Sequence, residues 1–528
     1  MQLILKGHDY KYAVEQMLST LFPGEKPEYT GAITGRGMCI SLNRGRIYTT
    51  AVCIYTAFEP DGDPGENSTV RTDGVPAADR CVPDADSGGS AAPCTAAYTR
   101  FSGRAAVRTS LLTDETETDR LCQYIIKNAV YRAVRASGME RPPWGALTGV
   151  RPGKLMRGIM KQTHCREEAV RWFETDFDVT SERAELCWET SSETAAAELS
   201  LRERDICLYI GIPFCPTRCA YCSFVSQSVE KSLKLVAPFF DALKEEVRAV
   251  GQQVRASGLR PVSIYFGGGT PTTLSASQLD ELCSLLGTEF DLSALREFTV
   301  EAGRPDTITA EKLAALKKHG VDRLSVNPQT MQDSVLETIG RRHTAADIIS
   351  ALNLVRETGG FAVNMDLIAG LPSDTPDGFR STLEQVIALA PENITVHTLS
   401  MKRGSALTLG GGELPTPAEV GAMLDYAYRS LREAGYLPYY LYRQKNMSGG
   451  FENTGWTKPG HVNLYNICMM EELCGILAMG GGGSTKLIKV EGGRNLRITA
   501  PKYPLEYIEQ IGKTCADKVK IGEFYRDS

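Results

Sequence analysis

The sequence predicts an α/β protein whose largest part is built from six βα units. From about residue 205 onward, candidate strands alternate with helical patterns at the spacing of one βα unit. Six such units make most of a (β/α) barrel, and the chemistry of barrels takes place on loops at the carboxyl ends of the strands. The candidate strands are Ile206–Ile212, Val262–Phe266, Phe298–Glu301, Leu324–Val326, Val363–Leu367 and Ile394–Leu399.

The residues before the barrel predict a smaller α+β domain. A strand at Leu3 to Lys6 precedes a helix around Tyr12 to Leu21, and Arg46 to Phe58 is rich in β-formers. Residues 59–98 are dense in Gly, Pro, Asp, Ser and Ala, so we expect a disordered insertion that cannot bury enough apolar surface to fold. The predicted division is an N-terminal α+β domain at 1–160, a helical connector at 161–203, the barrel at 204–445 and a small C-terminal α+β region at 446–528.

The composition of the whole chain argues against several classes of protein. A net charge of −6 is unusual for a general nucleic-acid binder, which is normally basic. No apolar run approaches the length of a membrane span, and the short run Leu3 to Leu5 is too small for a signal peptide. Fifteen cysteines spread over 528 residues indicate reduced thiols rather than a disulfide scaffold. We therefore expect a cytoplasmic protein that binds no nucleic acid.

A cysteine-rich loop follows the first barrel strand. The stretch LYIGIPFCPTRCAYCSF places Cys215, Cys219 and Cys222 in a C-x3-C-x2-C spacing. Three closely spaced cysteines disfavour disulfides, and a structural zinc site would need a fourth ligand, which the following forty residues do not offer as Cys or His. A cubane iron–sulfur cluster binds one thiolate per iron, so three cysteines would leave one iron open to a cofactor or substrate.

Other polar or flexible residues stand at the ends of the following strands. Gly267 to Thr270 end the second strand, and consecutive glycines allow the backbone to approach a ligand closely, although a tight turn is an equal interpretation. Glu301 ends the third strand, Gln329 follows the fourth and Asp366 lies in the fifth. A lone carboxylate at a strand end is often only a cap, but several polar groups at one barrel mouth indicate a binding site.

The cysteine loop, with Tyr221 before its last cysteine, resembles that of the radical S-adenosylmethionine (SAM) family. The resemblance implies an incomplete barrel of six βα units, a [4Fe-4S] cluster and SAM as cofactors. In that family the open iron binds the amino and carboxylate groups of the methionine part, and one electron then cleaves the sulfonium to a 5′-deoxyadenosyl radical.

A more specific resemblance is to oxygen-independent coproporphyrinogen III oxidases and their heme-chaperone relatives, including the long coproporphyrinogen dehydrogenase-like subgroup. It rests on LYIGIPFC, YFGGGTPTTL, FTVEAGRPDT, RLSVNPQT, NMDLIAGLP and ITVHTLS, which occur in the family's order. The implied reaction is oxidative decarboxylation of coproporphyrinogen III to protoporphyrinogen in heme biosynthesis, with an electron donor such as flavodoxin or ferredoxin. A heme-binding chaperone without turnover and an anaerobic heme-degrading methyltransferase are the alternatives.

The resemblance also implies site residues, position by position. The cluster ligands would be Cys215, Cys219 and Cys222. The SAM contacts would be Tyr209, Tyr221, Gly268, Gly269, Thr270, Glu301, Gln329, Arg341, Asp366 and Ser400. A cation would hold the substrate carboxylate, and the candidates are Arg151, Lys402, Arg403 and Arg443.

Two departures from the family pattern bear on the function. Related oxidases carry a fourth cysteine two residues after the third, but here Ser223 and Phe224 follow Cys222. The chaperone motif H-N-x-x-Y-W has only a partial counterpart, which begins at His461. Gly480 to Gly483 are interpreted either as a loop for a second SAM molecule or as a flexible turn.

Overall fold

A computed structural model describes residues 1–58, 98–149, 151–163, 165–222, 227–400, 414–444, 448–489 and 495–526. The chain divides into two compact units, one formed by Met1–Thr148 with Phe173–Thr180 and the other by Gly149–Trp172 with Ser181–Ser528. The predicted insertion at 59–98, apart from its last residue, and the substrate candidates Lys402 and Arg403 lie outside the described residues. The four-part division made from the sequence stays a prediction.

The first unit is a mixed sheet packed against helices. Its strands are β1 (Gln2–Lys6), β2 (Glu28–Tyr29), β3 (Gly37–Arg44), β4 (Tyr48–Phe58) and β5 (Tyr98–Arg108), in the order β2-β1-β3-β4-β5. The helices that complete its core are α1 (Lys11–Leu21) and α2 (Glu115–Ala136). The Asp114 carboxylate caps α2 by accepting a hydrogen bond from the Glu117 N–H at 2.9 Å. The predicted α+β character is confirmed.

A single large sheet organises the second unit. Its strands are β6 (Asp205–Ile212), β9 (Arg260–Gly268), β10 (Glu297–Glu301), β11 (Arg323–Ser325), β12 (Ala362–Ala369), β13 (Asn393–Thr398), β14 (Leu437–Arg443), β15 (Glu452–Thr457), β16 (Gly475–Gly480), β17 (Ser484–Leu487) and β18 (Leu496–Thr499). Two short strands, β7 (Phe214–Cys215) and β8 (Gln227–Ser228), pair separately.

Helices connect and flank these strands. They are α3 (Pro152–Met160), α4 (Arg166–Phe177), α5 (Ser181–Ser200), α6 (Val229–Ala256), α7 (Ala276–Glu289), α8 (Ala310–Lys318), α9 (Asp333–Thr338), α10 (Ala345–Thr358), α11 (Pro376–Ala388), α12 (Pro417–Glu433), α13 (Leu464–Glu471), α14 (Pro504–Glu509), α15 (Ile511–Asp517) and α16 (Val519–Arg526). Side-chain caps begin several of them, because Ser, Thr and Asn oxygens accept the first N–H groups of a helix.

The six predicted βα units form the parallel centre of the large sheet. Strands β6, β9, β10, β11, β12 and β13 lie side by side in chain order, all parallel. This sequential order is that of a (β/α) barrel, in which each helix returns the chain to the start of the next strand. The outer strands β14 and β18 do not pair with each other in the described residues, so the barrel is incomplete, as predicted.

The chain beyond residue 436 extends this sheet at both edges. Antiparallel strands β15 and β14 add to β13, and β16 adds parallel to β6 with Ile476 opposite Cys207. The sequence alone indicated only an α+β composition for part of this region. Strands β6 and β16 lie more than 260 residues apart and pair in parallel. No turn motif joins such strands, so no short stretch of sequence predicts their pairing.

A buried ion pair fixes the C-terminal helices to β16. The Lys518 ammonium lies 2.8 Å from the Glu246 carboxylate, and their side chains are 2% and 0% exposed. The same carboxylate accepts hydrogen bonds from the Tyr507 hydroxyl and from the Gly480 N–H. Lys518 also donates to the Ala478 carbonyl oxygen at 2.7 Å. Glu246 on α6 therefore joins α14, β16 and the chain that follows α15.

We expect Glu246→Ala to lower the free energy of unfolding by about 3 to 5 kcal/mol, because it leaves the Lys518 ammonium buried without its counter-charge. Urea denaturation of the full chain measures this change. Glu245→Ala is the matched control, since Glu245 is the exposed neighbour on the same helix and should change the value by less than about 0.5 kcal/mol. Equal effects of the two substitutions would contradict the assignment.

Candidate active site

A cavity of about 480 Å³ opens at the carboxyl ends of the parallel strands. The predicted cluster and SAM residues all line it, although they come from seven separate stretches of the chain. They are Tyr209, Cys215, Cys219, Tyr221, Cys222, Gly268, Gly269, Thr270, Glu301, Gln329, Arg341, Asp366 and Ser400. The tertiary structure therefore brings these residues together, while their individual roles stay predictions.

The cysteine loop is held against the end of β9 by backbone hydrogen bonds. The Gly269 N–H donates to the Ile212 carbonyl oxygen, and the Thr270 N–H donates to the Phe214 carbonyl oxygen, each at 2.7 Å. The Thr270 hydroxyl also lies 3.6 Å from the Cys215 sulfur. The start of the loop thus has a fixed position relative to the glycine run.

The glycines are required by this close packing. Gly268 has φ +105°, and a Cβ there would lie 3.0 Å from the Ile212 carbonyl oxygen. A Cβ on Gly269 would lie 2.4 Å from the Phe214 carbonyl oxygen and 3.0 Å from the Cys215 sulfur. Side chains at these positions would displace the cysteine loop or strain the backbone. The glycine run therefore packs tightly against the cysteine loop and at the same time lines the cavity, so both interpretations of the glycines can hold.

Two buried arginines adjoin the cysteine loop. Arg304 donates to the Cys219 sulfur at 3.5 Å and to the Thr217 hydroxyl at 2.9 Å. Arg341 donates to the Tyr221 hydroxyl at 3.1 Å. Burial raises the pKa of Cys219, but the Arg341 and Arg304 guanidiniums outweigh burial and bring its pKa below the usual value. They favour the thiolate, which is the form that binds iron. Arg304 was missed from the sequence, although it stands within the quoted motif FTVEAGRPDT.

Two carboxylates, Glu301 and Asp366, also line the cavity. Glu301 accepts a hydrogen bond from the Tyr265 hydroxyl at 2.6 Å, and burial raises the pKa of Glu301 to about 7. Asp366 lies 3.7 Å from the His397 imidazole. Burial raises the pKa of Asp366, but the nearby His397 imidazole and contacts with Asn364 and Thr395 bring it below its usual value. The site therefore holds one carboxyl whose pKa is raised by burial and one whose pKa is lowered by its polar neighbours.

Tyrosines form much of the remaining wall. The rings of Tyr265 and Tyr465 stack with centroids 4.4 Å apart, and Tyr209 stacks on both at 6.3 Å. Tyr440 and Tyr442 form a second stacked pair on β14. Tyr439, Tyr440 and Tyr442 all line the cavity. Tyr265 and Tyr465 were not identified from the sequence.

Several buried polar atoms of the lining have no hydrogen-bond partner in the described structure. Among them are the Tyr465 hydroxyl and the Gln329 side-chain oxygen. Gln329 also has φ 67°, an uncommon conformation for a residue with a side chain. Buried polar groups are normally satisfied, so these atoms indicate a polar ligand in the cavity.

The described substrate candidates lie away from the lining. Arg151 forms an ion pair with Glu472 at 2.6 Å, and Arg443 donates to the Gly450 carbonyl oxygen at 3.0 Å. The cations that do line the cavity in the described residues are Arg304, Arg323 and Arg341. Arg323 donates to the His461 backbone oxygen at 3.0 Å, so His461 supports the wall through its backbone.

The second glycine run lies between β16 and β17. The Gly483 N–H donates to the Gly480 carbonyl oxygen at 3.1 Å, which closes a tight turn. Gly480 has φ +96° and packs directly on the Gly211 backbone, where a Cβ would meet the Gly211 oxygen at 2.2 Å. The structure therefore supplies a structural reason for these glycines, while the second SAM molecule stays a prediction.

Comparisons with known proteins agree with this geometry. A family model described as the radical SAM superfamily matches residues 209–386. The oxygen-independent coproporphyrinogen-III oxidase-like protein HemZ of Bacillus subtilis is 40% identical over 385 residues, which cover 72% of this chain and 77% of that protein. The chain belongs to this family of radical SAM proteins.

More distant relatives carry two different names. The heme chaperone HemW of Bacillus subtilis is 36% identical over 192 residues, covering 36% of this chain and 49% of that protein. The oxygen-independent coproporphyrinogen III oxidase of Escherichia coli is 31% identical over 237 residues, covering 44% of this chain and 51% of that protein. The chain thus spans about half the length of each of these relatives. The predicted branch, which contains oxidases and heme chaperones, is confirmed.

Membership of the radical SAM superfamily implies a [4Fe-4S] cluster and SAM as cofactors. A search of the described helices found none that is both long and apolar enough to span a bilayer. Neither result distinguishes an oxidase from a heme chaperone.

The raised pKa of Glu301, about 7 against 4.5 for an ordinary glutamate, predicts a pH-dependent stability. The folded state retains this proton longer than the unfolded chain does, so its stabilising contribution is complete below about pH 4.5 and is lost as the pH rises through about 7. We expect the stability of the unsubstituted chain relative to Glu301→Gln to fall between those limits, as measured by urea denaturation.

Tyr265→Phe provides a directional check, because the Tyr265 hydroxyl stabilises the ionised carboxylate of Glu301. Its loss should move the transition to higher pH. Identical pH profiles for the unsubstituted chain and Glu301→Gln would contradict the buried environment assigned to Glu301.

Proposed function

We propose that Cys215, Cys219 and Cys222 hold a [4Fe-4S] cluster and that SAM binds beside it against the glycine run. When bound, the cluster supplies the electron that converts SAM to a 5′-deoxyadenosyl radical, which takes a hydrogen atom from the substrate. The donor set fits, because three cysteines on one loop would leave a cubane cluster with one open iron, and the guanidiniums of Arg304 and Arg341 lie beside this loop at Cys219 and Tyr221. The unsatisfied oxygen of Gln329 gives the cofactor a polar contact.

The proposed reaction is the oxidative decarboxylation of coproporphyrinogen III propionates to vinyl groups. In each step a propionate loses one hydrogen atom, carbon dioxide and one electron, which passes to a separate acceptor. The observation that carries this proposal is the presence of the cysteine loop and a tyrosine wall in one cavity. Flat aromatic rings suit a large ring-shaped substrate, and HemZ, the relative at 40% identity, bears an oxidase-like name.

The chain's own residues would orient this substrate. Tyr440 and Tyr442 offer stacked rings on one side, and Tyr465 offers an unsatisfied hydroxyl on another. Arg323 is a buried cation of the lining that could pair with a propionate carboxylate, a role that the sequence assigned to other residues. A flavodoxin or ferredoxin as electron donor and a cytoplasmic location remain part of the proposal.

A heme chaperone is the second candidate, supported by the similarity to HemW. The position that carries a fourth cysteine in related oxidases lies in residues 223–226, outside the described structure. A chaperone would bind heme stably and leave coproporphyrinogen unchanged. The two candidates share the cluster and differ in turnover, so a turnover measurement separates them.

We expect Gly268→Val to abolish reductive cleavage of SAM and, because it disturbs the packing that positions the cysteine loop, to lower reconstituted iron below about four per chain. The positive φ of Gly268 and its contact with Ile212 leave no room for a branched side chain beside the bound cofactor. Gly303→Ala is the matched control, because Gly303 also lines the cavity and its added Cβ would meet nothing closer than 3.5 Å. Formation of 5′-deoxyadenosine measures both. Unchanged cleavage in Gly268→Val would limit the glycine run to a structural turn.

Anaerobic incubation with coproporphyrinogen III, SAM and a reductant tests the oxidase proposal directly. Porphyrin mass spectrometry should show successive losses of carbon dioxide, and Tyr442→Leu should lower kcat/KM by about tenfold through the lost ring contact. Tyr503→Leu is the control, because Tyr503 is 49% exposed and lies outside the cavity lining. Stoichiometric heme binding without any loss of carbon dioxide would favour the chaperone.

A further inference from the structure

A second group of three thiols lies apart from the cysteine loop. Cys207, Cys468 and Cys474 place their sulfur atoms within 4.8 Å of one another. Among the residues that the structure describes, this is the one group of three or more Cys, His, Asp or Glu side chains whose possible ligand atoms all lie this close together. The cysteines of the radical SAM loop are not members of it. No sequence motif indicates the group, since 267 residues separate Cys207 from Cys474.

Three different elements supply these thiols. Cys207 lies in β6, Cys468 in α13, and Cys474 just before β16, which pairs with β6. Their side chains are almost completely buried, at 0%, 0% and 6% exposure. The surrounding residues are apolar and include Val262, Leu464 and Ile476. The group is therefore a set of soft sulfur ligands in apolar surroundings with little exposure to solvent.

The spacing of the sulfurs suits one shared ion. The Cys207 and Cys474 sulfurs are 3.7 Å apart. Two sulfurs that each lie about 2.3 Å from one ion are about 3.8 to 4.0 Å apart at tetrahedral or trigonal angles. A disulfide would require about 2.05 Å. A cubane cluster binds each thiolate to a different iron, which separates the ligands further than one ion does.

We propose that Cys207, Cys468 and Cys474 form a binding site for one thiophilic d¹⁰ cation. Cu⁺ fits the three thiols as they stand, whereas Zn²⁺ would need a fourth ligand. Soft thiolates select these ions over magnesium or calcium. Burial excludes exchange with solvent, which is typical of a structural site and not of a catalytic one. The site is independent of the cluster proposed for Cys215, Cys219 and Cys222.

The three thiols lie on elements that also line the active-site cavity. Helix α13 carries Tyr465, Asn466, Met469 and Met470, which line the cavity, on either side of Cys468. Cys207 precedes the lining residue Tyr209 by two positions in β6, so both side chains lie on one face of the strand. A bound ion would fasten α13 to β6 and to the start of β16. It would thereby hold one wall of the active-site cavity in place.

The test uses the full chain with Cys215→Ala, Cys219→Ala and Cys222→Ala, so that the loop thiolates cannot take up the probe ion. The protein is loaded anaerobically with Zn²⁺ or, separately, with Cu⁺, desalted and analysed by inductively coupled plasma mass spectrometry. We expect about one retained ion per chain with at least one of the two probes. The two arms show which cation the thiols prefer.

Cys468→Ala and Cys474→Ser should each remove this ion, whereas Cys283→Ala should retain it. Cys283 is the matched control because it is a buried cysteine on α7 outside the group. Metal should also raise the melting temperature of the parent chain and not that of Cys468→Ala, which keeps the test valid if Cys474→Ser fails to fold. Loading below a tenth of an ion with both probes, full retention in Cys468→Ala, or a Cys207–Cys474 disulfide in the metal-free protein would overturn the proposal.

Discussion

The arrangement of the active site depends on the close packing of the glycine run against the cysteine loop. Two backbone hydrogen bonds of 2.7 Å join Gly269 and Thr270 to Ile212 and Phe214. These contacts exist only because Gly268 and Gly269 have no side chains. They fix where Cys215 begins its loop, and with it the place at which a cluster could sit beside the ends of the parallel strands.

Buried charge is the second constraint on the site. Arg304 and Arg341 bring positive charge to the cysteine loop, while Glu301 and Asp366 place carboxyl groups elsewhere in the same cavity. Separated opposite charges suit a zwitterionic cofactor next to a polyanionic cluster. The tyrosines between them supply area without adding charge. The cavity thus combines charged groups of both signs with a large aromatic surface.

The region after residue 436 is part of the large sheet and of the cavity lining, and is not a separate domain. Its strands extend the sheet at both edges, and its helix α13 supplies part of the cavity lining. The buried Glu246–Lys518 pair holds the last helices near β16. Cys207, Cys468 and Cys474 lie where α13 and the start of β16 meet β6. The lining of the cavity therefore depends on how the C-terminal region folds.

The sequence by itself determined the parallel centre of the fold and the local motifs. Strand and helix patterns are short-range, so the six βα units and the cysteine loop could be placed without coordinates, and thirteen predicted residues line one cavity. Only the tertiary structure decided which distant groups join them. Arg304, Tyr265, Tyr465 and the Cys207 group acquire their positions through contacts between strands and helices far apart in the chain. Arg151 and Arg443 looked equally suitable for a substrate, but neither lines the cavity, because each is bound to other parts of the fold. A sequence shows the charge and type of each residue. Which group forms an ion pair or hydrogen bond with that residue depends on how the elements pack.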